Sequence, residues 1–278
     1  SAFRPYNGEK IEFPASLDRD IVVEGIHKAK FKSPPTNYTK LSAADIEQFN
    51  RNPFDSSFMP QQETGTRQAC PLPYELYVDG RLTKDKQSFE LVMAAGNNVF
   101  GPVSAGSAFN VYLSSGYKNE SMPSRAYSVM AGDMLKDTWT LSNFANKSYH
   151  LCVYGPNGFF REFAGDASAA AIDLKCTYEK SAQTKRLSGN IVLLFRNNSA
   201  QAMDIEVIDN AYQAATLHKN IAAGPADISI VVPCGKNHHW YDFSVKIKGR
   251  PGFLARYAGH IETGDVSTSD PAMAVNKI

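Results

Sequence analysis

Along most of the chain, apolar and polar residues alternate one by one. "FNVYL" (109–113) sets Phe109, Val111 and Leu113 against Asn110 and Tyr112. "DISIVV" (227–232) and "FSVKI" (243–247) repeat the pattern, the latter with Ser244 and Lys246 on the polar face. Period-two runs place one face of a strand on a core and the other on solvent. Turn signals recur at short intervals from Cys70 onward: "DG" at 79, "GNN" at 96, "NN" at 197, "GP" at 224 and "CGKN" at 234. Many short strands with regular turns, and no helical period after residue 53, predict an all-β chain built of sandwiches.

Residues 1–66 break this pattern. "SPPTNY" and "RNPFDSSFMPQQETG" read as extended, irregular chain. One short helix is predicted at "SAADIEQFN", with Ser42 as its cap, Asp45 at the third helical position, and Ile46 and Phe49 on one face. The apolar residues of this arm, Ile11, Phe13, Ile21, Val22, Val23, Phe31, Phe49 and Phe54, lack the periodicity to bury themselves. The arm is expected to wrap on a neighbour.

The strands fall into an internal repeat. "SFELVMAAGNN" (88–98) resembles "NIVLLFRNNSA" (190–200), and "YHLCV" (149–153) resembles "YDFSV" (241–245). Both copies close on "GF", an aromatic (Phe163 or Tyr257) and "AG". The expected organisation is an irregular N-terminal arm (1–66) with one short helix, then two tandem Ig-like β-sandwiches at 67–169 and 170–278. "GDASAAAID" (165–173), small and without alternation, is the expected linker. Each sandwich is expected to keep its own sheets.

Composition narrows the function classes. The chain of 278 residues is 43% hydrophobic, enough for packed cores, and balances 29 basic against 28 acidic residues. No Lys/Arg run exceeds two, which argues against a nucleic-acid partner or an electrostatic membrane tether. No apolar run reaches the roughly 18–20 residues of a membrane-spanning helix. Cys70, Cys152, Cys176 and Cys234 are widely spaced with no CxxC pair, so they do not supply the closely spaced ligand pairs of a zinc site, and none is expected. One or two disulfides and free thiols are both compatible with that spacing.

The polar clusters offer little catalytic chemistry. In "VYGPNGFF" the residues Gly155, Pro156, Asn157 and Gly158 suit a tight turn between two strands. A phosphate-binding loop would open a helix and carry a Lys-Ser/Thr pair, and neither follows here. His238, His239 and Trp240 form the most conspicuous polar group; adjacent strand residues point to opposite faces, so the two imidazoles are expected to be loop histidines without a metal. No Gly-x-Ser-x-Gly elbow places a nucleophile. Arg161 and Glu162 read as surface charge. The 16 Phe and 13 Tyr are expected mostly to fill cores. No catalytic, cofactor-binding or metal-binding residue is assigned.

"VYGPNGFFREFAG", followed one repeat later by "GFLARYAGHIETGDVSTSDPAM", resembles the C-terminal region of bacterial phosphocholine-specific phospholipases C. "MPQQETGTRQACPLPYELYVDG" (59–80) is similar to that family's junction into its first β-domain. One departure is Ala255, where the family usually carries a basic residue. The resemblance implies a non-catalytic, secreted or periplasmic part of an enzyme that hydrolyses phosphatidylcholine- or sphingomyelin-like phosphodiesters. Its implied partner is its own phosphoesterase domain, absent from this sequence, with lipid aggregates as a further partner and no cofactor. A free-standing Ig-like module binding carbohydrate or protein is the alternative. Head-group preference is not legible.

Overall fold

The computed structural model describes residues 40–53, 65–120, 123–169, 171–184 and 186–274. Two compact units divide the chain, residues 1–61 and 62–278. In the first, helix α1 (Ala43–Arg51) begins on the expected cap: the Asp45 amide donates to Ser42 Oγ at 3.2 Å and the Ser42 amide to Asp45 Oδ2 at 3.0 Å. Glu47 and Arg51 pair one turn apart, and no residue of α1 is buried. Most of the arm's expected apolar surface, Ile11, Phe13, Ile21, Val22, Val23, Phe31 and Phe54, lies outside the described residues.

The second unit is all β. Its first copy contributes β2 (Leu76–Leu82), β3 (Ser88–Ala95), β4 (Ser107–Leu113), β5 (Ser124–Val129), β6 (Asp133–Thr140), β7 (Ser148–Tyr154) and β8 (Phe160–Asp166). The second contributes β9 (Ile172–Lys180), β10 (Leu187–Asn197), β11 (Met203–Asp209), β12 (Leu217–Ile221), β13 (Gly224–Val232), β14 (Trp240–Ile247) and β15 (Leu254–His260). In each copy three strands form one layer, in the orders β2-β3-β6 and β13-β10-β9. The other four strands of each copy form the facing layer. Phe89 of β3 stacks on Tyr149 of β7 across this gap, with centroids 4.1 Å apart.

The copies do not keep separate sheets. The four-stranded layers join edge to edge through β8 and β15, giving one sheet ordered β12-β11-β14-β15-β8-β7-β4-β5. The sandwich build is as the periodicity predicts; the expected independence of the two sandwiches is corrected. An open edge strand on each copy presents unpaired backbone groups, and mutual pairing satisfies both. In the opposite layer β2 and β9 meet as facing edges bridged by side chains. Tyr178 Oη donates to the Leu76 carbonyl at 2.8 Å, and the Cys176 amide donates to Asp79 Oδ1 at 3.1 Å. A two-stranded ribbon of β1 (Gln68–Ala69) and β16 (Ser267–Thr268) ties the start of the unit to its end.

The alternation puts the expected residues inside: Phe109, Val111 and Leu113 are buried, as are Phe243 and Val245. Two expected turns lie in strands instead. Asp79-Gly80 is mid-β2, where a Cβ on Gly80 would meet the Phe89 ring at 2.5 Å, and Gly224 opens β13. The 165–173 connection is not a free linker: the Lys86 ammonium donates to the Ala169 carbonyl and the Arg250 guanidinium to the Ser168 carbonyl, one from each copy.

Candidate functional site

The hairpin turn of the first copy lies against the second. Asn157 and Gly158 both take positive φ, 54° and 73°. A β-carbon on Gly158 would approach the Trp240 ring to 3.1 Å, so backbone and space both call for glycine. Asn157 Nδ2 donates to Glu262 Oε1 at 2.5 Å. Glu262 is buried, and its other oxygen accepts from the Leu72 amide at 3.0 Å. The turn that the sequence suggests is therefore also a clasp between copies.

His238, His239 and Trp240 stand around this clasp. His238 and His239 both have positive φ, so they form a turn and not a strand, for the 3-10 turn Gly235–Asn237 delivers the chain there. The His239 ring faces the Gly189 carbonyl at 3.2 Å, in space that a Gly189 side chain would fill. Trp240 Nε1 donates to the Thr268 carbonyl at 2.9 Å, and its ring lies 4.7 Å from that of His260. His238 contributes its backbone carbonyl, near His260 Nε2 and Ser267 Oγ.

His260, Glu262 and Ser267 were not singled out by sequence, although "AGHIETG" contains the first two. His260 Nδ1 lies 3.0 Å from Glu262 Oε1, and Nε2 lies 2.9 Å from Ser267 Oγ. The distances match a nucleophile-base-acid chain. The surroundings do not: both Glu262 oxygens are engaged by Asn157 and Leu72, and the Ser267 hydroxyl also bonds the His238 carbonyl. Among the described residues, the cavities beside Gly80, Phe100, Tyr212, His150 and Pro251 are lined by neither Ser267 nor His260. The arrangement works as a strut.

A second polar feature lies at the seam. Aligning "GFFREFAG" (158–165) with "GFLARYAG" (252–259) makes Glu162 the counterpart of Arg256 and Arg161 the counterpart of Ala255. In the β8–β15 register Leu254 faces Ala164 and Phe160 faces Ala258, the same pair seen from opposite copies, with Glu162 facing Arg256 at the centre. A local pseudo-twofold axis thus passes between two opposite charges. On this outer face His150 Nε2 lies 2.7 Å from Glu162 Oε1. Arg256 grips Asp242 with two bonds of 2.8 and 2.6 Å and comes within 4.0 Å of Glu162. The resulting ladder, His150–Glu162–Arg256–Asp242, places each acid beside a base.

The inner face of the same seam corrects the reading of Arg161 as surface charge. Strand alternation turns it inward, where it is 1% exposed. Its guanidinium donates to the Phe160 and Ala258 carbonyls at 2.8 and 2.9 Å and to Tyr241 Oη at 3.0 Å, and it stacks 3.9 Å from the Phe159 centroid. Arg161 Nε and Tyr257 Oη remain without partners. Burial pushes the neighbouring Cys176 thiol up to about 12, against the pull of Arg161. Cys152, Cys176 and Cys234 are buried free thiols, and Cys70 is an exposed one. Ala255, at Arg161's counterpart position, is buried and spares the seam a second inward cation.

The family model for the bacterial phospholipase C C-terminal domain matches this chain twice, over residues 68–166 and 171–260. The chain is 37% identical over 216 residues to a non-hemolytic phospholipase C of Burkholderia pseudomallei and 32% identical over 222 residues to one of Pseudomonas aeruginosa. A hemolytic phospholipase C of Pseudomonas aeruginosa is 28% identical over 239 residues. These matches cover 78–80% of this chain and only 29–32% of the relatives. The chain therefore belongs to the bacterial phospholipase C C-terminal domain family, with two copies of that domain in tandem.

Proposed function

We propose that this chain is the non-catalytic C-terminal portion of a phosphocholine-specific phospholipase C. The parent enzyme hydrolyses phosphatidylcholine- or sphingomyelin-like phosphodiesters in the periplasm or outside the cell. The chain itself is accessory: it packs on the phosphoesterase domain and helps that domain meet aggregated lipid. The observation that carries this reading is coverage, because the chain spans under a third of relatives named phospholipase C while a C-terminal domain model accounts for most of it. The near-neutral charge favours packing on protein over docking on anionic lipid. Among the described residues no helix is long and apolar enough to cross a membrane.

The test mixes the purified chain with the separately expressed phosphoesterase region of its parent and, in parallel, with phosphatidylcholine liposomes. Co-elution with the phosphoesterase region is expected, as is no turnover of nitrophenyl-phosphocholine by the chain alone. Turnover abolished by a point mutation within this chain would overturn the non-catalytic reading. Tight liposome binding without association with the phosphoesterase region would reverse the order of the two accessory roles.

A further inference from the structure

We propose that His150, Cys152 and Glu162 form a zinc-binding site on the outer face of the eight-stranded sheet. His150 and Cys152 are two apart on β7 and share a face, and Glu162 of β8 is the direct cross-strand partner of Cys152. One nitrogen, one sulfur and one carboxylate oxygen from the three residues lie within 4.8 Å of one another. Zinc holds such ligands at about 2.0–2.3 Å, which in tetrahedral geometry sets them some 3–4 Å apart. The His150–Glu162 contact at 2.7 Å has only to open slightly to admit the ion.

The neighbourhood supports this use. All three ligands sit on strands held on both sides by other strands. Arg256, its charge offset by Asp242, lies near Glu162 Oε2 and leaves Oε1 to the metal. The His150 side chain is 37% exposed, so an ion can enter and keep a water as its fourth ligand. A thiolate with an imidazole selects zinc, cobalt or copper over magnesium and calcium. As the sulfur–metal bond forms, the Cys152 proton leaves to solvent.

The second copy provides an internal comparison. In "YDFSV" the counterparts of His150 and Cys152 are Asp242 and Ser244, and Arg256 replaces Glu162. There the same three positions hold a two-bonded salt bridge and no thiol. The first copy alone places an imidazole, a thiol and a carboxylate at these three positions.

The experiment is titration of the untagged, reduced full chain with Co2+, then with Zn2+. One ion per chain is expected, with a thiolate-to-cobalt charge-transfer band and the strong visible bands of a four-coordinate ion, both bleached by Zn2+. Cys152→Ser should lose the charge-transfer band, and His150→Gln should weaken binding at least ~10-fold. Cys70→Ser, which removes the exposed thiol elsewhere, should change neither. Circular dichroism checks that each variant folds; if Cys152→Ser does not, His150→Gln decides. No band in excess Co2+, a band that survives both site variants, or one lost in Cys70→Ser would overturn the proposal.

Discussion

Arg161 carries a charge into a core that otherwise excludes water, and the cost of doing so sets an expectation. Its donors reach two carbonyls and one hydroxyl, with three aromatic rings around it. Removing the side chain empties a large volume and orphans those acceptors. Arg161→Ala should therefore lower stability by about 3–5 kcal/mol. Arg161→Met fills the space without a charge to desolvate and should recover most of that loss. Urea unfolding of both variants checks this; equal losses would mean the charge itself is required. Sequence could not place this residue. The dipeptide Arg161-Glu162 reads as surface charge, and only the neighbours on β14 and β15 decide which of its two faces is dry.

At the scale of elements, alternation was a good guide to strands and a poor one to their partners. Phe109, Val111 and Leu113 declare their inward face within five residues. The burial pattern of β8, by contrast, is that of any half-buried strand and does not announce that its edge meets β15. That pairing is a long-range contact between repeats, and its one local hint is the charge swap of Glu162 for Arg256. The "DG" at 79 misled for a related reason. Gly80 is demanded by the Phe89 ring above it, while Asp79 bridges β2 to β9.

That bridge has a pH consequence. Burial raises the Asp79 carboxyl to about 6, against the Cys176 amide and Arg161, which favour the charged form. The folded state thus holds this proton more tightly than the unfolded chain. The stability of the neutral form is present below about pH 4 and is lost as pH rises to about 6. Asp79 is only half-buried, so solvent screening tempers the effect. Asp79→Asn keeps an oxygen for the Cys176 amide. It should match the parent chain near pH 4 and exceed it at pH 7 by about 1–2 kcal/mol. Denaturant unfolding at both pH values measures the difference, and equal stability at pH 7 would rule out a strained carboxylate.

For the whole molecule, the question is whether two copies of one domain behave as two domains. Repeats with separate cores and a thin linker unfold one at a time. Here the copies share a sheet through β8 and β15, a buried Arg161 that bonds into β14 and β15, a clasp from Asn157 to Glu262, and the β1–β16 ribbon that closes the ends. Losing either copy would expose a sheet edge, and losing the second would also strand the buried Arg161, so neither should persist without the other. The chain contains two tryptophans, Trp139 on β6 of the first copy and Trp240 on β14 of the second. Trp139→Phe and Trp240→Phe each leave a single fluorescent reporter, one per copy. In urea the emission of each variant should follow the loss of far-ultraviolet circular dichroism as one transition. The slope should be that of the whole 62–278 unit and not of half of it. Two separated steps, with the Trp139 and Trp240 signals falling at different urea concentrations, would restore two independent sandwiches.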